Sequence, residues 1–74
     1  MKVYRYYCPH RPPMPGAIPR LGLLRACSYD YKQCIGGVGA WGFAEYDRPL
    51  TEQEVYQYEL VAGQHNPLDY AEGL

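Results

Sequence analysis

The sequence predicts a small α+β domain, an antiparallel sheet of three or four strands with one helix packed on one face and a long proline-rich loop. Three observations carry that expectation. Three stretches rich in β-branched and aromatic residues recur along the first two thirds of the chain, and a single strong helix start stands at Thr51-Glu-Gln-Glu54. Five of the seven prolines fall between Pro9 and Pro19, where fixed φ angles and missing N–H donors rule out a regular helix or a central strand. At 74 residues the chain reads as one domain, 1–74, and a domain of this size buries only about 60% of the surface its unfolded chain exposes. Its core is therefore thin.

In Lys2-Val-Tyr-Arg-Tyr-Tyr7, positions 3, 5 and 7 alternate with 4 and 6, as expected of a first strand whose two faces meet different surroundings. The segment 9–19 follows as an extended connection, stiff and long enough to cross the domain. Loops of that length are uncommon inside compact domains and often functional. Residues 23–29 read as a second strand, 30–33 as a turn, Gly36-Gly37 as another turn, and 38–46 as a third strand. Glycines inside that third strand mark a bulge or a place where another backbone or ring lies close.

The helix start rests on the most specific local pattern. Thr51 and Glu54 stand at the spacing of a capping box, and Leu50 and Val55 at that of a hydrophobic staple, so the helix begins at Glu52 and ends before Gly63. Residues 58–62 can instead peel off as a short extended segment. Residues 64–74 lack periodicity and read as a loosely attached tail.

Nine tyrosines inflate the apolar fraction, and because a buried tyrosine hydroxyl needs a partner, they read as boundary residues. The aliphatic and aromatic core candidates are then Val3, Ile18, Leu21, Leu23, Leu24, Ile35, Val38, Trp41, Phe43, Leu50, Val55, Leu60 and Val61. No apolar run approaches the roughly 20 residues that span a bilayer, and three cysteines are too few and too odd for a disulfide framework. A cytoplasmic protein with reduced thiols and no membrane association is expected. Net charge is −1, but residues 1–48 carry all seven Lys and Arg against three acids, while 49–74 carry five acids and no base. In one small domain such asymmetry means that the two halves attract each other.

The residues 11–20, the run Ala40-Trp-Gly-Phe-Ala-Glu-Tyr-Asp-Arg-Pro-Leu-Thr-Glu-Gln-Glu54 and Tyr58-Glu-Leu60 resemble small uncharacterised proteins of anaerobic gut bacteria, some apparently carried on mobile elements. The resemblance implies a cytosolic accessory protein in a bacterium and brings no activity or site residues with it.

The chemical motifs are weak. Gly37-Val-Gly-Ala-Trp-Gly42 fits G-x-G-x-x-G, yet strand-like sequence follows where a phosphate-binding helix should begin. Cys8, His10, Cys27, Cys34 and His65 include enough soft ligands for zinc but lack the close cysteine pair of a knuckle. Cys8 and His10 lie two residues apart, with no third group to orient them for nucleophilic catalysis. Neither cofactor nor metal is expected, and no enzymatic activity.

Binding is what remains. The leading reading is a protein partner held by the 11–20 loop and neighbouring aromatic surface, through Arg11, Met14, Arg20 and Trp41. A stiff loop loses little entropy on docking, Met14 adapts to apolar surfaces, and the two arginines suit carboxylates. Arg11 and Met14 are expected at the exposed tip, with Ile18 and Pro19 in the core. The alternative is a nucleic-acid-binding module with a sheet face of Arg5, Arg11, Arg20, Arg25 and Arg48 among Tyr4, Tyr6, Tyr29 and Trp41. Against it stands the simpler reading that Arg5 and Arg25 are cross-strand neighbours of carboxylates or tyrosines. The chain itself is expected to be a monomer or weak homodimer.

Overall fold

In a computed structural model, which describes residues 2–35, 37–63, 66, 68 and 69, β-forming sequence and the capping box both act where the residues place them. The elements are β1 (Lys2–Tyr7), β2 (Leu23–Ile35), β3 (Val38–Tyr46), α1 (Glu52–Gln57), β4 (Val61–Ala62) and β5 (Leu68–Asp69). Four strands lie in the order β2-β3-β1-β4, all paired antiparallel, and β5 also pairs with β1. This is a small antiparallel sheet with a single short helix, an α+β fold.

The register explains how a six-residue strand holds two partners on one edge. Ala62 and Val61 face Tyr6 and Tyr7, while Asp69 and Leu68 face Lys2 and Val3, so β4 and β5 lie end to end along β1. Between them the Asn66 side chain stands in for a strand residue. Its Oδ1 accepts from the Arg5 N–H at 2.9 Å and its Nδ2 donates to the Arg5 carbonyl at 2.8 Å, which also accepts from the Gly63 N–H at 2.9 Å. The remainder of the segment read as a tail lies outside the described residues.

One sheet face carries the core. Tyr6, Cys8, Ile18, Ala44, Tyr46, Leu50 and Leu60 form the buried cluster, with Tyr4, Val55 and Tyr58 packed against it. Two of the tyrosines read as boundary residues, Tyr6 and Tyr46, are thus central, with Tyr46 0% exposed, while Tyr4, Tyr7, Tyr29 and Tyr58 are half-buried as expected. Burial is tolerated because the hydroxyls are satisfied. Tyr46 donates to the Pro19 carbonyl at 2.7 Å, and the Tyr6 oxygen accepts from the Leu50 N–H at 2.9 Å. Three leucines move the other way. Leu21, Leu23 and Leu24, expected in the core, are 74%, 37% and 42% exposed.

The turn expected over 30–33 is not a break between strands. β2 runs through it, and the register with β3 slips between Ser28↔Gly42 and Gln33↔Ala40, so residues 29–32 arch past a single β3 residue, Trp41. Gly42 is a point of close approach, as glycine in this strand led one to expect. A Cβ there would overlap the Cys27 carbonyl and lie 2.5 Å from the Pro13 ring.

Both halves of the capping box form: Glu54 N–H donates to Thr51 Oγ1 at 3.1 Å, and Thr51 N–H donates to Glu54 Oε1 at 2.9 Å. The helix closes with a Schellman motif. Leu60 N–H reaches the Val55 carbonyl at 2.9 Å and Glu59 N–H the Tyr56 carbonyl at 3.2 Å, which forces Glu59 into the left-handed region at φ 54°.

Two stability changes follow. Tyr46→Phe strands the buried Pro19 carbonyl and lowers stability by about 1–3 kcal/mol, read as a shifted midpoint in urea unfolding. Glu59→Gly relieves a left-handed conformation that costs a side-chain-bearing residue about 1 kcal/mol or more, so in the same measurement it raises the midpoint despite losing a carboxylate.

Candidate functional site

The connection from β1 to β2 contains no helix or strand, only an isolated bridge between Pro15 and Ile18. Two tight turns shape it. Ala17 N–H reaches the Met14 carbonyl at 2.9 Å across Pro15-Gly16, and Leu23 N–H reaches the Arg20 carbonyl at 3.2 Å across Leu21-Gly22. Gly16 and Gly22 have φ of 88° and 79°, the value a type II turn needs at its third residue. Proline at the second position of the first turn is likewise favoured.

Side chains and carbonyls fasten what lies between the turns. Pro13 is buried against Gly42, while Ile18 and Pro19 are buried in the core beside Tyr46. Arg48 Nε donates to the Leu21 carbonyl at 3.0 Å, and its two terminal nitrogens grip the Glu54 carboxylate at 2.8 Å each. The second turn is therefore tied to the start of α1. At the other end, Arg11 pairs with Glu59 at 2.9 Å on the surface. Both pairs join the basic first two thirds to the acidic remainder.

Of the residues singled out for binding, Arg11 is exposed but bonded to Glu59, Met14 is 52% exposed at the first turn, and Arg20 is exposed at the second. Trp41 is half-buried on β3. Its N–H donates to the Cys8 carbonyl at 2.8 Å while Cys8 N–H donates to the Gly42 carbonyl at 3.0 Å, so two β3 residues oppose Cys8 in a bulge. No hydrogen bond or ion pair among the described residues joins these four to one another. What residue-by-residue reading missed is the neighbourhood of Arg20, where Leu21, Leu23 and Leu24 all reach solvent. A leucine after a proline-rich run looks like core; only the turn at Leu21-Gly22 turns it outward.

On the sheet, Glu45 lies directly opposite Arg5 on one neighbour and Arg25 on the other. Its side chain is 3% exposed. Arg5 Nε and Nη2 donate to Oε2 at 2.8 and 2.6 Å, and Arg25 Nε donates to Oε1 at 2.5 Å. A buried carboxylate demands such partners. The guanidinium carbons of Arg5 and Arg25 also sit 4.4 and 5.4 Å from the centre of the Phe43 ring, which Tyr7 and Tyr29 flank. Two arginines of the supposed nucleic-acid face are thereby committed to Glu45.

Gly37 to Gly42 runs from a turn into β3, with no helix N-terminus beyond it. Cys8 is buried and Cys27 and Cys34 are exposed, all unpaired, and no three His, Cys, Asp or Glu side chains converge as a metal site among the described residues. His65 lies outside the described residues. Burial pushes the Cys8 thiol up to about 11, against a smaller opposing pull from Arg11, so it stays protonated at neutral pH.

Among known families, the one described as "Defence against restriction A C-terminal" matches residues 1–65, and the chain belongs to it. Neither the curated proteins nor the solved structures contain a match.

The Arg48 clamp sets an acid dependence. The Arg48 hydrogen bonds, followed by the Thr51 N–H, hold the Glu54 carboxyl down at about 2 from its ordinary 4.5. A depressed folded value stabilises above the ordinary one and loses that contribution as pH falls through the folded one. Thermal midpoints should accordingly drop between about pH 4.5 and 2, and Glu54→Gln should flatten the drop over that window.

Proposed function

Proceeding from membership of that family, we propose that the protein is a non-enzymatic accessory protein of defence against restriction. It acts in a bacterial cytoplasm by binding another protein through the 11–20 loop and the surface beside it. The observation that supports this most is the exposure of Met14 at the first turn and of Leu21, Leu23 and Leu24 just after Arg20, at the two turns of a connection fastened by Tyr46 and Arg48 and at the start of β2. Exposed apolar side chains mark an interaction surface where they gather into one patch, and several of them on one short connection are the raw material for such a patch. A fastened loop gives up little freedom on docking, and Arg20 can meet a partner carboxylate with two parallel hydrogen bonds. The Arg11–Glu59 pair, half exposed on both sides, is weak enough for Arg11 to exchange Glu59 for a partner's acid.

The non-enzymatic part draws support from Cys8, whose raised thiol is the reverse of an activated nucleophile. No helix of the described residues is long and apolar enough to cross a membrane. As a free domain the protein is a monomer or weak homodimer. Of two routes, the first engages another protein and the second engages nucleic acid. The second route would use the Arg5 and Arg25 face, and the commitment of both to Glu45 favours the first.

Leu21→Asp and Met14→Asp alter exposed side chains and should leave the fold intact, yet each should weaken capture of protein partners from a host lysate by about tenfold or more. Unchanged capture by both variants sinks the loop as the binding surface. Titration against random oligonucleotides at rising salt separates the two routes: the protein route expects no salt-sensitive affinity, and a steep salt slope would favour the DNA route.

A further inference from the structure

Away from the loop, α1 and β4 enclose an open groove of about 830 Å³, in the size range of ligand clefts. Val55, Leu60 and Val61 supply apolar wall and floor, and Glu52 and Glu59 stand among its lining, which includes no Lys or Arg. The acidity follows from the sequence, since residues 49–74 hold five acids and no base. One wall is the outer edge of the sheet, because β4 is the last strand in the order β2-β3-β1-β4.

Strand geometry determines what that edge offers. Gly63 N–H bonds to the Arg5 carbonyl, and Val61 lies opposite Tyr7, two residues along each strand. Peptide groups alternate in direction along a strand, so residues 61 and 63 turn toward β1 and the N–H and C=O of Ala62 turn outward. Ala62 is exposed. Among the described residues no strand pairs with that edge, and an unpaired edge beside an apolar groove is the arrangement by which domains accept an added strand, with main-chain bonds for affinity and groove contacts for selection.

We propose that the groove between α1 and β4 takes an extended, lysine- or arginine-bearing apolar segment of a partner protein, which adds to the sheet along β4. An apolar side chain of the segment enters between Val55 and Val61, and its flanking cation meets Glu52, with Glu59 beside it on the Arg11 side. The choice of a cationic occupant rests on charge complementarity, and the choice of an extended one on the outward peptide groups of Ala62. The site is separate from the leucine surface and does not depend on it.

The test is an amide-resolved NMR titration of the whole chain with two end-blocked peptides, Lys-Val-Leu-Val-Lys and Glu-Val-Leu-Val-Glu. The lysine peptide should shift resonances of residues 55–62 saturably, and the glutamate peptide should bind about fivefold more weakly or worse. Glu52→Lys should erase that preference. Ala62→Pro removes the outward N–H without touching the bonds to β1 and should weaken the lysine peptide by about tenfold. Leu21→Asp should leave it unchanged, which keeps this outcome distinct from the fate of the loop. Equal affinity for both peptides, shifts confined to residues 14–24, self-association that fills the groove with a second copy, or no response up to about 1 mM each overturns the proposal.

Discussion

The structure depends on a buried phenol. A chain this short has few aliphatic side chains to spend on a core, and those of the 21–24 stretch face solvent, so the centre is filled by Tyr46 with Tyr6 edge-on to it at 6.0 Å. Burial pushes the Tyr46 hydroxyl well above its ordinary ionisation range and leaves it a neutral donor in need of an acceptor. That acceptor is the Pro19 carbonyl. Proline brings no N–H of its own to satisfy, so the bond closes the local polar account from one side only, and the loop has to cross the core at that point for Tyr46 to be buried at all. The burial of the core and the path of the loop are therefore tied at this bond.

Which features were legible in the residues follows from how far each argument had to reach. The capping box at Thr51 and Glu54 is a local contract between neighbours, and it is made as written. β1 was readable because alternation and β-propensity agree there, and β3 because its aromatic content outweighed glycines that weaken a strand. β2 was readable over 23–29 but not beyond, because the arch at residues 29–32 comes from a register slip against β3, and register is a property of two strands together. The tyrosines illustrate the same limit. Whether a phenol belongs inside depends on whether an acceptor waits there, and Pro19 lies twenty-seven positions from Tyr46. Among binding candidates, Met14 and Arg20 stand where an exposed turn would put them, whereas Leu21, Leu23 and Leu24 were mistaken for core for want of any sign that the turn at Gly22 faces out.

Glu45 does for the opposite sheet face what Tyr46 does for the core. A buried carboxylate between two arginines is poor value as a source of stability, because desolvation offsets much of the attraction. Its effect is on arrangement. Glu45 accepts from one strand on each side, so a slip of either neighbour by one residue would leave an unpaired charge, and the register of three strands is held by a single side chain. With Phe43 stacked beneath both guanidinium groups, that face is occupied with its own order.

This division of labour bears on where binding can happen. Side chains that hold register or fill the core cannot move to meet a partner without loosening the domain, and in so small a domain that covers most of the sheet. Freedom remains at the two turns of the connection, along the β4 edge and along the exposed outer edge of β2 at the other end of the strand order. At the turns, apolar surface is displayed on backbone already fixed by Tyr46 and Arg48, so a partner meets a shape that needs little further ordering. Along β4, the peptide groups of one residue remain to be paired. As proposed, the first surface would select by fit and the second by charge and extension, and the exposed Arg11–Glu59 pair joins the loop to the end of α1 without making one surface depend on the other.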